Sequence, residues 1–157
     1  MPSKVSPIPK GYHTVTPDMV IKGASEAIEF YKKVFGAKER SRMMSPDGHF
    51  VLHAELEIGN SVVMLADETP RSAGKSPESL KGTAVTLHLY VRDVDATFKR
   101  ALEAGAKEVM AIENTFWGDR FGVIADPFGH MWSIATHIED VPTEEMMKRM
   151  QAAMTAR

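Results

Sequence analysis

Apolar and polar positions run through one order of elements twice along this chain. Residues 14–21 alternate as a strand does. Residues 24–35 carry Ala27, Ile28, Tyr31, Val34 and Phe35 at helical spacing, and Gly36 supplies the stop. Three shorter strands are predicted over 39–44, 50–58 and 61–66, with turns at Pro46-Asp47-Gly48 and Gly59-Asn60. The order then returns: a strand over 84–91, a helix over 94–104 stopped by Gly105, and strands over 108–112, 122–125 and 131–137. Asp126-Pro127-Phe128-Gly129 is the turn before the last strand. The pairs Gly36-Ala37 and Gly105-Ala106 stand 69 residues apart, and Gly59 and Gly129 stand 70 apart. A repeat of this period reads as two structural modules.

The predicted fold class is therefore α+β, with two βαβββ modules. Module one covers 12–67, a Ser-, Pro- and Gly-rich linker covers 68–82, and module two covers 83–140, making one domain over 12–140. An arm over 1–11 and a terminal helix over 141–157 flank it. Thr143 stands at the start of that helix with Glu144 and Glu145 in its first turn. Met146, Met150 and Met154 fall on one helical face, expected to pack on the body or on a second copy.

Alternation also sorts the faces. Val85, Leu87, Leu89 and Val91 form an apolar set for the helix, so Thr86, His88 and Tyr90 point the other way. In module one Thr16, Asp18 and Val20 take that second face, and the repeat aligns Asp18 with His88 and Val63 with Ser133. His53, Glu55 and Glu57 share one face of their strand. The loop Thr115-Phe116-Trp117-Gly118-Asp119-Arg120 offers Trp117 to stack on a flat ligand and Arg120 to hold a carboxylate or phosphonate. The structural alternative is an Asp119–Arg120 pair that pins the loop, with Trp117 on the core. His88 suits general acid–base work or a hydrogen bond to a ligand, and Tyr90 adds a ring and a hydroxyl. His130, at a hairpin corner, and Trp132 read as structural, while His137 at the end of the last strand fits either role.

Composition narrows the partners. The chain has 157 residues and a formal net charge of −2, which gives no reason to expect nucleic acid or an anionic membrane as partner. No apolar run approaches the roughly 20 residues of a membrane span. Residues 1–11 hold three prolines and no apolar stretch, so no secretory signal is expected and the cytoplasm is the expected location. The absence of cysteine excludes disulfides, thiolate metal sites and a cysteine nucleophile. No Walker, Rossmann or G-x-S-x-G pattern is present, which argues against a nucleotide-dependent methyltransferase and a serine hydrolase.

A set of ordered segments carries a resemblance: Thr14-Val15-Thr16-Pro17, Glu26-Ala27-Ile28-Glu29-Phe30-Tyr31-Lys32-Lys33-Val34-Phe35-Gly36-Ala37, His53-Ala54-Glu55-Leu56, Leu65-Ala66-Asp67-Glu68, Trp117-Gly118-Asp119-Arg120 and Asp126-Pro127-Phe128-Gly129-His130-Met131-Trp132. Together they resemble the PhnB-like branch of the vicinal oxygen chelate superfamily, the glyoxalase, bleomycin-resistance and extradiol dioxygenase group. The resemblance implies that each module curls a mixed sheet with its helix outside and that the two modules form a cup. It also implies a homodimer, and a divalent metal held by residues of the first and last strands of each module. The matching positions here are Asp18, Val63, His88 and Ser133. Val63 has no ligating atom and Ser133 stands where the enzymes have a carboxylate, so only Asp18 and His88 are ordinary ligands. A catalytic zinc or iron site needs about three, and His53 or Glu55 is the nearest source of a third. The resulting reading is a small-molecule-binding protein with an organic ligand held in the cup. The alternative is a metal-dependent lyase, isomerase or dioxygenase of the same superfamily. His88 and Tyr90 are the candidate catalytic residues; His53, Glu55, Trp117 and Arg120 are the candidate ligand-binding ones.

Overall fold

The computed structural model describes residues 5–156. Residues 1–4 of the expected arm and residue 157 of the terminal segment lie outside the described residues. The chain divides after Gly82 into two compact units. The first contains β1 (Asp18–Ile21), α1 (Ala24–Phe35), β2 (Lys38–Met44), β3 (Val51–Ile58), β4 (Ser61–Asp67) and a short α2 (Pro77–Leu80). The second contains β5 (Thr86–Tyr90), α3 (Val94–Glu103), β6 (Lys107–Asn114), β7 (Asp119–Ala125), β8 (Met131–His137) and α4 (Thr143–Thr155). Each unit builds one four-stranded sheet, in the orders β1-β4-β3-β2 and β5-β8-β7-β6. In both, the first strand lies parallel to the last and the other neighbours are antiparallel. The fold is thus α+β, with two open mixed sheets from the two βαβββ repeats.

α1 forms because Ala24, Ala27, Ile28, Tyr31 and Val34 fall on one face and are all buried. With Ile21, Leu56 and Leu65 they make the core of the first unit. Each large apolar side chain there contributes about 1.5–3 kcal/mol against the entropy of ordering it. The helix begins at Gly23, which has no side chain to cap it. Asp67, at the end of β4, does so from a distance: its Oδ1 accepts the N–H groups of Gly23 (3.1 Å) and Ala24 (2.8 Å), and its Oδ2 accepts that of Val51 (2.8 Å). The second unit splits this work. Asp93 caps α3 by accepting from Ala96 N–H (3.0 Å), and Thr136 Oγ1 accepts from Val94 N–H and donates to the Val91 carbonyl, both at 2.9 Å. α3 lies close over β7 at Gly122, where a Cβ would stand 2.8 Å from Phe98.

Several boundaries differ from those the sequence suggests. β1 starts at Asp18, not at residue 14. Its ladder opens with Met64 N–H to the Pro17 carbonyl (2.8 Å), and Pro17 has no N–H to extend it. β5 starts at Thr86, because the Thr83 hydroxyl accepts the N–H of Val85 (3.2 Å) in a local turn. β7 starts at Asp119, three residues earlier than 122. Part of the expected linker is helical: Ser76 caps α2 by accepting from Ser79 N–H, and Ser76 and Pro77 are buried. Glu68 organises this turn. Its carboxyl is held down to about 2 by the Ser76 hydroxyl and N–H, the Ser79 hydroxyl and Lys75. α4 buries none of its residues fully; of its methionine stripe Met146 and Met150 are half-buried and Met154 is exposed. No helix among the described residues is long and apolar enough to cross a membrane.

Candidate functional site

Cross-strand register defines which side chains share a face. In the first sheet one row reads Asp18, Met64, Glu55, Ser41 across β1, β4, β3 and β2. In the second the corresponding row reads His88, Ser133, Val123, Met110. The alignment of Asp18 with His88 therefore holds in the strands. That of Val63 with Ser133 does not: Met64 is the residue opposite Asp18, and Val63 is buried, opposite Leu56. The repeat is offset by one residue between its first and last strands, and one residue turns a strand side chain to the other face.

The two rows carry different chemistry. In the first unit, His53 Nε2 lies 3.2 Å from Glu55 Oε1, and Glu55 also accepts the Tyr12 hydroxyl. The Arg40 guanidinium sits 5.0 Å from the centre of the Tyr12 ring. The Tyr12 hydrogen bond, aided by His53, holds the Glu55 carboxyl below its usual value despite some burial. His53 and Glu55 are thus brought together as expected, but with Tyr12, which the sequence did not single out, as the third member.

In the second unit four rings gather on the sheet face opposite α3. His88 and Tyr90 meet edge to face with centroids 4.7 Å apart, His88 stacks with Phe121 at 6.1 Å, and Phe121 meets Trp117 at 5.8 Å. His88 Nδ1 is hydrogen-bonded with Ser133 Oγ at 2.6 Å, which leaves Nε2 without a partner among the described residues. Tyr90 is 60% and Trp117 36% exposed, so the rings present surface rather than core.

Beneath the rings is a buried carboxylate, Asp119. Its Oδ2 accepts the Tyr90 hydroxyl (2.9 Å) and Trp117 Nε1–H (3.2 Å), and its Oδ1 faces His137 Nδ1 at 2.8 Å. Burial pushes the Asp119 carboxyl up, but the hydrogen bonds from His137, Tyr90 and Trp117 outweigh it and keep the group ionised. The Asp119 hydrogen bond, with some burial, raises the Tyr90 hydroxyl above its ordinary value. The Tyr90 hydroxyl therefore holds its proton and donates it to Asp119, while its ring stays exposed.

Arg120 is a correction. It lies on the other side of β7, where its guanidinium grips Asp95 of α3 at 2.7 Å through Nε and Nη2 and Asn114 at 3.0 Å through Nη1. It does not reach the ring face, nor does it pair with Asp119. The early start of β7 is the reason, since strand alternation sends Asp119 and Phe121 one way and Arg120 and Gly122 the other. Asp119, Phe121 and His137 are the members of the cluster not counted as site residues; extending the alternation of β7 back to residue 119 finds the first two. Trp132 is core, as expected, and donates to Asp126 Oδ2 at 3.0 Å.

Two open, mixed βαβββ sheets from one repeat define a class of protein. The match is specific: residues 13–134 fit the glyoxalase/bleomycin resistance protein/dioxygenase superfamily, and the chain belongs to it. An uncharacterized protein of Mycobacterium bovis is 48% identical over 145 residues, covering 90% of this chain and 92% of that one. The solved structure of a gene product of Arabidopsis thaliana superposes with a TM-score of 0.65 at 28% identity, covering 79% of this chain and 98% of that one. The fosfomycin resistance protein FosX of Listeria monocytogenes, solved with Mn(II) and 1S,2S-dihydroxypropylphosphonic acid, shares the fold with a TM-score of 0.61 at 14% identity, covering 88% and 97%.

The superfamily's divalent metal is tested by the donors present. Across from Asp18 stands the soft thioether of Met64, and across from His88 stands the hydroxyl of Ser133, already bonded to the imidazole. Glu55 is two strands from Asp18, about 10 Å at ordinary strand spacing. Among the described residues no three His, Asp or Glu gather in a group that could hold a metal ion. The residues do not fit a tightly held divalent metal.

Proposed function

We propose that this protein binds a small organic molecule on the ring face of its second sheet. The observation that supports this reading is the exposed array His88, Tyr90, Phe121 and Trp117 on the face away from α3. The ligand is a flat ring that stacks on Trp117 and Tyr90 and places a polar atom toward His88 Nε2. An anionic headgroup is disfavoured, because Arg120 is committed to Asp95 while Asp119 lies beneath the rings. No turnover is assigned, since the face offers one imidazole with a free nitrogen and no activated nucleophile.

Native mass spectrometry of the untagged protein as purified, followed by a thermal-shift panel of flat heteroaromatic compounds, tests this. A bound species or a stabilising compound lost in both Trp117→Ala and His88→Ala supports the reading. Binding that survives both substitutions overturns the face, and so does a panel without any hit. Near-stoichiometric metal that survives dialysis overturns the metal-free reading in favour of a metal-dependent lyase, isomerase or dioxygenase.

A further inference from the structure

His137 is half exposed, and its two nitrogens face two carboxylates. Nδ1 meets Asp119 Oδ1 and Nε2 meets Asp140 Oδ1, each at 2.8 Å. A carboxylate is only an acceptor, and a neutral imidazole has a single N–H. Both contacts are hydrogen bonds only when the ring is an imidazolium. The other cations nearby are committed: Arg149 to Glu139 and Glu145, and Arg120 to Asp95 on the far side of β7. No other charged group among the described residues contacts His137.

The backbone ties this array to the ring face. β7 and β8 pair Asp119 directly with His137. The Gly118 carbonyl accepts the N–H groups of Ile138 (2.9 Å) and Glu139 (3.0 Å), so the turn carrying Trp117 and the segment leaving β8 are held edge to edge. Gly118 has φ 97°, and a Cβ there would run into the Glu139 carbonyl, so the approach depends on glycine. The segment continues into α4, which has no buried residue of its own to anchor it.

We propose that Asp119, His137 and Asp140 form a proton-operated clip. Protonated His137 fastens the segment 138–142 to the 115–119 turn and steadies Asp119, the positioning residue for Tyr90 and Trp117. On loss of the proton one of the two carboxylate contacts must break, and the ring face loosens. The hydrogen bonds that His137 donates to Asp140 and Asp119, which raise the imidazole above its ordinary value of 6.5, agree with this geometry. The clip governs the face read above as the binding surface, but its test needs no ligand, so either can fail while the other stands.

The test is Trp117 emission between about pH 5 and about pH 9. The spectrum of Trp117→Phe is subtracted to remove Trp132. A single transition with a midpoint above the ordinary histidine value is expected. It is lost in His137→Gln, kept in His88→Gln, and moved to lower pH in Asp140→Asn, a fully exposed site whose change does not threaten folding. The His137 ring titration followed by NMR in the unaltered chain should share the midpoint, which covers failure of His137→Gln to fold. A flat emission profile overturns the proposal. So does a transition that persists without His137, follows His88, ignores Asp140, or differs from the NMR midpoint.

Discussion

The two sheets have the same strand order and pairing, yet their matching faces differ in what covers them. On the first, Tyr12 reaches Glu55 from the chain preceding β1, and Arg40 lies against the Tyr12 ring. On the second, the corresponding row begins with His88 and Ser133, and the rings beside it stay open. A repeated backbone has thus been given one self-satisfied face and one free face. The fold alone does not place a function, so the two copies must be told apart by their side chains.

The strongest way to break the comparison is at the glycines. Gly118→Ala should cost about 3 kcal/mol, since a left-handed φ and a collision with the Glu139 carbonyl combine. Gly36→Ala in the first unit, at φ 67° but with open space around it, should cost only about 1 kcal/mol. Denaturant midpoints read both. Next come the remote caps. Asp67→Ala strands three N–H groups and should cost about 2 kcal/mol, whereas Thr136→Val strands one and should cost about 1 kcal/mol.

The faces should also fail at opposite ends of the pH scale. Glu55 is depressed chiefly by Tyr12, so its contribution is present above 4.5 and is lost as pH falls through the lower folded value. His137 is raised, first by Asp140 and then by Asp119, so its contribution is full below 6.5 and is lost as pH rises through the higher folded value. The stability gap between the unaltered chain and Glu55→Gln should therefore close on acidification, and the gap to His137→Gln should close on alkalinisation. Urea midpoints across the pH range check this. The smallest effect concerns metal. Micromolar zinc or manganese should move the melting temperature by under about one degree, because a site with two donors binds too weakly to stabilise. Ser133→Glu, which adds a carboxylate beside His88, should bind more tightly than the unaltered chain.

The repeat, the helices and most strands were legible because apolar spacing and glycine stops are local signals. α1 and β8 match their expected bounds. His88 and Tyr90 came out on one face because alternation in β5 is unbroken. Arg120 was misjudged because 115–120 reads as loop, and a loop carries no alternation from which to assign a face. Val63 was misplaced because the repeat shifts by one residue between its ends, and only hydrogen-bonded register reveals such an offset. Asp119 and Tyr12 could not be ranked, since the contacts that bring them into the sites are non-local: Asp119 to His137 and Tyr90 at 18 and 29 residues, and Tyr12 to Glu55 at 43.

The Asp67 cap also bears on the order in which the chain folds. Its contacts to Gly23 and Ala24 span 44 and 43 residues. A short helix in isolation is marginal in water, so α1 stays frayed at its first turn until β4 has been made and docked. During synthesis the first unit is therefore incomplete until residue 67 has emerged. The closing contact is a non-local one whose loop entropy must be met first, and this makes β1–β4 docking a slow step of folding rather than an early one.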